Sequence, residues 1–404
     1  MSVRAASTGR MGPLPEPRST GSIVMTAADD IINFAIPEIT DDDVDAVARV
    51  LRSGWLTTGD ECAGLEAELS DYLGGAEVVT VSSGTAALDI ALAHLRLPAG
   101  ARVGVPDWTF VATALAAVHN GLTPVLLDVD PDTLNLSPAA LAAEIDDLAA
   151  VIPVHFGGVP VDADIHSIAA DAGVPVVEDA AHALGASDGR GRIGAPGTSP
   201  TCFSFYASKN LTSAEGGALV TDDADLAAFA RSQRLHGMDA DAWARYRPGA
   251  KAGYDVVRPG IKANLPDVLA VLARSQFARF DASQARRREL VDRYRTHLDK
   301  AGVDMVPAVA VPGSADHLMA VKLAPGTDRD AVMAAMTEVG ISTSVHFRPL
   351  HQFSWFAEQA PVGRSGLGVC DDLAERIMSL PLHVNLSDAD VDRVCERFVE
   401  VTAR

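Results

Sequence analysis

The stretch VVTVSSGTAALDIALAHL, Val78–Leu95, decides the fold. A β-branched run leads into Ser82, Ser83 and Gly84, and an alanine- and leucine-rich amphipathic segment follows at once, which reads as strand, tight turn and helix. The unit then recurs. RVGVP (Arg102–Pro106) precedes VATALAAVHN, PVLLDV (Pro124–Val129) precedes a helix around Ala139–Leu148, and AVIPVHF (Ala150–Phe156) precedes a helix around Ile165–Ala172. PVVEDA (Pro175–Ala180), CFSFY (Cys202–Tyr206) and GALVTD (Gly217–Asp222) complete about seven strands. Such alternation predicts an α/β fold whose large domain holds a mainly parallel seven-stranded sheet flanked by helices. A long helix from about Asp267 to Leu298 leads into a smaller C-terminal α+β domain. There HLMAVKL and ISTSVHF read as strands, with helices near Asp328–Val339 and Asp388–Val401. The expected division is an extension over 1–30, a large domain over 31–280 and a small domain over 281–404.

Composition narrows the function. The chain has 404 residues, 48% hydrophobic and 22% charged, which suits a packed α/β protein. Its formal net charge of −21 argues against nucleic acid or an anionic membrane as general partner, since either needs a basic face. Cys62, Cys202, Cys370 and Cys395 lie far apart without CxxC or Cys/His spacing, so no metal is expected and a reduced, cytoplasmic setting fits. No apolar run reaches membrane-spanning length, and the first thirty residues lack a signal peptide's apolar core. That segment, rich in Pro, Gly, Ser and Arg, reads as a disordered extension, and Met25 is an alternative start.

The chemistry falls at strand ends, where an open α/β sheet places its ligand. SSGTAAL (Ser82–Leu88) opens a helix N-terminus that favours a phosphate, or that Ser and Thr merely cap. Asp179, after an apolar strand, needs a cationic partner: a basic side chain, or a protonated pyridine nitrogen. Trp108 and Phe110 follow another strand, and each is either core or a stacking platform for a flat ring. FSFYASKNLTSAEGG (Phe203–Gly217) then sets Lys209 among small, aromatic and hydroxyl residues. Taken alone it is a snorkelling lysine at a strand end; after a phosphate cup, a buried Asp and an aromatic, it is a candidate amine for cofactor chemistry.

These residues, with GWLTTG, DVDPDTLNL, PVHFGG, EGGALVT, RLHG, KANLPD, VHFRPLH and SLPLH in order from about Asn33 to the C-terminus, resemble the DegT/DnrJ/EryC1/StrS family of pyridoxal-phosphate-dependent sugar aminotransferases. The resemblance implies the type I pyridoxal-phosphate transferase fold. It makes Lys209 the Schiff-base lysine, Asp179 the partner of the pyridine nitrogen and Phe110 the stacking ring. Gly84, Thr85, Ala86 and Ser204 would hold the phosphate, and His182 would lie beside the ring. In the family, the asparagine matching Asn264 reaches the neighbouring subunit's phosphate, which implies a homodimer with shared active sites; a helix cap is its plainer reading. Trp55, Thr57, His346, Arg348 and His351 would meet the substrate. The form of VHFRPLH, together with His182, favours amination at C-4. The expected reaction moves an amino group, from glutamate, to a ketone on a nucleotide-linked deoxysugar, catalysed by Lys209, Asp179 and His182. An aminocyclitol ketone is an alternative substrate, and a cofactor-binding regulator without catalysis an alternative role. Family dehydratases carry histidine where Lys209 stands, and a nicotinamide enzyme would show GxGxxG after its first strand.

Overall fold

Seven strands form the sheet at the centre of the computed structural model. The model describes residues 31–239 and 253–403, and the N-terminal extension expected over 1–30 lies outside them. The strands are β1 (Glu77–Val81), β2 (Arg102–Pro106), β3 (Thr123–Leu127), β4 (Ala150–Val151), β5 (Glu178–Asp179), β8 (Thr201–Ser204) and β9 (Gly217–Thr221); a small hairpin, β6 (Ser187–Asp188) with β7 (Gly191–Arg192), stands apart. β2 is parallel to β3 and β4, and β5 to β8. Parallel bridges Val151–Val176 and Val154–Asp179 join the two halves. Only β9 runs against its neighbours, β1 and β8.

Both faces of this sheet are covered, which is why its strands are apolar without alternation. Val79, Val81, Val103, Val105 and Leu126 are buried together with Ala87, Ile90 and Leu92 of the helix Gly84–Leu95. Gly217 lets β9 approach that helix, for a Cβ there would lie 2.6 Å from the Phe203 carbonyl oxygen and 2.7 Å from the Gly84 nitrogen. Six strand ends, those of β1, β2, β3, β4, β5 and β8, therefore point to one edge.

Beyond the sheet, β10 (Asp304–Val306), β11 (Met319–Lys322) and β12 (Ile377–Leu380) form an antiparallel sheet with its own core of Leu290, Tyr294, Val321, Met378, Val394 and Phe398. Two expectations need correction. The helix expected from Asp267 to Leu298 is two, Asp267–Phe277 and Phe280–Ala301. Arg279 stands at the break with φ −116° and ψ 12°, and its guanidinium holds Asp43 at 2.6 Å and Glu38 at 3.0 Å. ISTSVHF is not a strand: only single bridges tie it down, Ile341 to Ile32 and Ser344 to Ser379. No helix among the described residues is long and apolar enough to cross a membrane, and all four cysteines are buried and unpaired.

Candidate active site

A cavity of about 470 Å³ opens at the strand ends, lined by Ser83, Gly84, Thr85, Phe110, Asp179, His182, Ser204, Lys209, His317, His346 and Phe347 among others. One wall is the N-terminus of the helix Gly84–Leu95, whose N–H groups and dipole favour an anion. Ser83 is its cap, its Oγ accepting the Ala86 N–H at 3.1 Å. Ala86 itself does not line the cavity. Ser204, at the end of β8, faces the same opening.

Asp179 ends β5. The Thr113 hydroxyl donates to its Oδ2 at 2.7 Å, and the Ala181 N–H to its Oδ1 at 3.1 Å. Thr109 stands 2.7 Å behind Thr113, so two hydroxyls in series fix one oxygen. Burial pushes the carboxyl above its ordinary range, while these hydrogen bonds and the nearby Lys209 pull it back. No basic side chain among the described residues pairs with it directly. A carboxylate on a cavity wall, buried and held by neutral donors alone, fits a cationic ring nitrogen from a ligand.

Lys209 sits on the turn after β8, its N–H bonded to the Tyr206 carbonyl at 2.9 Å. Burial lowers its ammonium to about 8, against the opposing pull of Asp179. At neutral pH an appreciable fraction is therefore free amine, the form that adds to a carbonyl. Phe110, 58% exposed, borders the opening, whereas Trp108 is wholly buried with its indole N–H on the His346 carbonyl. Of the two aromatic candidates Trp108 is core, and Phe110 is free to cover a flat ring.

The remaining sequence candidates divide. His346 lines the cavity, stacks on Phe34 at 5.3 Å and is lowered by burial to about 4, so it is neutral. Arg348 lies outside the lining, its guanidinium over the Phe353 ring at 4.9 Å. The ring of His351 is taken by Asp107 at 2.6 Å and Asp371 at 3.1 Å, anchoring its segment to the end of β2. Trp55 and Thr57 also lie away from the lining; the Trp55 indole donates to the Thr58 carbonyl and the Thr57 carbonyl accepts from Asp267. Asn264 donates to the Thr58 hydroxyl at 2.7 Å and accepts from Lys262, at the end of β1 and outside this chain's cavity. Sequence reading missed Thr113 and His317. The first is a hydroxyl in an alanine-rich helix, a weak signal; the second lies in a segment read only as a strand.

Beside Asp179, Glu178 points into a closed polar cluster. His155 Nδ1 accepts the Val161 N–H at 3.1 Å, so its Nε2 carries the proton and donates to Glu178 at 3.2 Å; His166 adds a contact at 2.6 Å. Burial alone would raise the carboxyl, but the two histidines hold it well below its usual range. Its contribution is present above the unfolded carboxyl's pKa and is lost as pH falls toward the folded value. Glu178→Gln is expected to lower the unfolding free energy by about 3 kcal/mol at pH 7 and to flatten the acid limb, measured by urea melts from pH 7 to 3.

Comparisons with known proteins identify the family. The family model for the DegT/DnrJ/EryC1/StrS aminotransferase family matches residues 37–399. Spr1654 from Streptococcus pneumoniae, solved in a PMP form, superposes with a TM-score of 0.84 at 30% identity over 92% of this chain and 98% of that one. Its PLP form has the same TM-score at 28% identity, covering 92% and 99%. The aminotransferase TlmJ from Streptoalloteichus hindustanus matches at 32% identity and TM-score 0.83 over 92% and 99%. The sugar aminotransferase CalS13 from Micromonospora echinospora matches at 30% and 0.81 over 92% and 100%.

Proposed function

Because the chain belongs to the DegT/DnrJ/EryC1/StrS aminotransferase family, and so is a pyridoxal-phosphate-dependent sugar aminotransferase, we propose that it moves an amino group from glutamate to the C-4 ketone of a nucleotide-linked deoxysugar. The observation that carries this reading is the buried Asp179 in one cavity with Lys209, whose ammonium burial lowers to about 8, and an anion-favouring helix end. The bound cofactor supplies an electron sink once its ring nitrogen is protonated. Asp179 holds that proton in place, steered by Thr113. Lys209 would hold the cofactor through its neutral amine and would carry the substrate's proton. Gly84, Thr85 and Ser204 would hold the phosphate, with the Ala86 N–H engaged by the Ser83 cap behind them, and Phe110 would cover the ring. His182 would lie beside the ring.

His346 meets the sugar, while Arg348, outside the lining, serves the nucleotide diphosphate. His351 acts indirectly, by pinning the HFRPLH segment through Asp107. Trp55, Thr57 and Asn264 serve the neighbouring subunit of a cytoplasmic homodimer, which accounts for their position away from this chain's own cavity. The test of substrate is a panel of nucleotide-linked 4-amino and 3-amino sugars, with free aminocyclitols, run in reverse and followed by loss of pyridoxal-phosphate absorbance. Turnover confined to the 4-amino series is expected. Exclusive turnover of the 3-amino series or the aminocyclitols contradicts the assignment.

The shared site has its own test. Lys209→Ala and Asn264→Ala homodimers should both be poor catalysts. Unfolded and remixed in equal amounts, they give half heterodimers, each with one intact site, so activity returns to about a quarter of wild type per chain. Sites built from a single chain would recover nothing.

A further inference from the structure

Two imidazoles on the cavity wall, His182 and His317, lie with ring centroids 4.3 Å apart and planes tilted by 37°. Each is held through Nδ1 by groups that act in one sense only. The Gly157 N–H donates to His182 Nδ1 at 3.2 Å, so that nitrogen is bare and the proton of the neutral ring is on Nε2. His317 Nδ1 meets Asn210 Oδ1 at 2.9 Å. The Ala315 carbonyl fixes that amide, for it accepts from Asn210 Nδ2 at 2.7 Å and from Gln284 Nε2 at 3.2 Å, and a carbonyl cannot donate. Asn210 therefore turns its oxygen to His317, whose Nδ1 carries the proton and whose Nε2 is bare.

The backbone holds both rings in place. The His317 N–H donates to the Gly157 carbonyl at 2.8 Å and the Ala315 N–H to the Gly158 carbonyl at 3.0 Å. Gly158, at φ +90°, leaves no room for a side chain, since a Cβ would lie 2.9 Å from the His182 carbonyl oxygen. Burial lowers both imidazoles well below their ordinary pKa, so the pattern persists at neutral pH. Neither Nε2 has a hydrogen-bond partner among the described residues. The wall thus offers a donor and an acceptor side by side.

We propose that His317 Nε2 is a substrate-binding acceptor, taking the hydrogen bond of a sugar hydroxyl, with the N–H of His182 beside it. Carboxylate and phosphate oxygens cannot donate to it, whereas a hydroxyl both donates and accepts. The inference rests on the reading of this cavity as a keto-sugar site and names the contact that reads the sugar.

Two measurements test it. In ¹⁵N-labelled holoenzyme at pH 7.5, imidazole spectra should show His317 protonated on Nδ1 and His182 on Nε2, and Asn210→Leu should mix the His317 tautomers. Separately, the two half-reactions are followed by cofactor absorbance, with glutamate as one probe and, as the other, the panel amino sugar that the wild type deaminates. His317→Phe should raise the sugar concentration for half-maximal rate about tenfold, with a much smaller shift for glutamate and partial recovery in His317→Gln. A bare Nδ1 on His317, or equal shifts for both probes, overturns the proposal. A wild type that deaminates no panel member removes the keto-sugar reading, and this inference with it, while the spectra still decide the tautomers.

Discussion

Lys209→Ala is expected to lower the turnover number by about 10⁴-fold, because one side chain both holds the cofactor and carries the proton. The variant should fold as wild type does, since no salt bridge among the described residues uses the lysine; its thermal midpoint checks this. The same side chain sets a pH dependence. Its ammonium, lowered to about 8 by burial, cannot add to an aldehyde, and the neutral fraction grows tenfold per pH unit below that value. The rate at which apoenzyme captures pyridoxal phosphate should therefore rise with pH up to about 8 and level off above it. A pH-independent rate would place the reactive amine elsewhere.

Asp179→Ala should retain part of the cofactor and lose about 10²–10³-fold in turnover, the scale of removing one preorganised electrostatic group. The loss has a spectral companion, since without the carboxylate the ring nitrogen sheds its proton and the bound chromophore shifts. Thr113→Val, which removes only the hydroxyl steering Asp179, should act in the same direction and less strongly. Activity near wild type in Asp179→Ala would show that another group keeps the ring protonated.

The parts legible in the sequence were those whose function is set by chain order. Ser83, Gly84, Asp179 and Ser204 stand at or just past the ends of their strands, so a βα repeat and the strand-end rule suffice to bring them together. What stayed hidden depends on contacts between distant segments. His317 reaches the cavity because the Gly157–Gly158 turn pairs with residues 315–317, a match no local pattern announces. The break at Arg279 follows from Asp43 and Glu38, more than two hundred residues earlier in the chain. HFRPLH reads as one substrate segment, yet the structure parts it: His346 lines the cavity and His351 is spent on Asp107 and Asp371. Side-chain pairing, not residue type, makes that division.

The most direct test of the central claim is borohydride reduction of the purified, reconstituted enzyme, followed by peptide mapping. The chain has few lysines, so Lys251, Lys262, Lys300 and Lys322 are the alternatives to Lys209. The account predicts a single pyridoxyl adduct on the peptide that contains Phe203–Gly217, at Lys209. An adduct on any other lysine, or none after reconstitution, would contradict it.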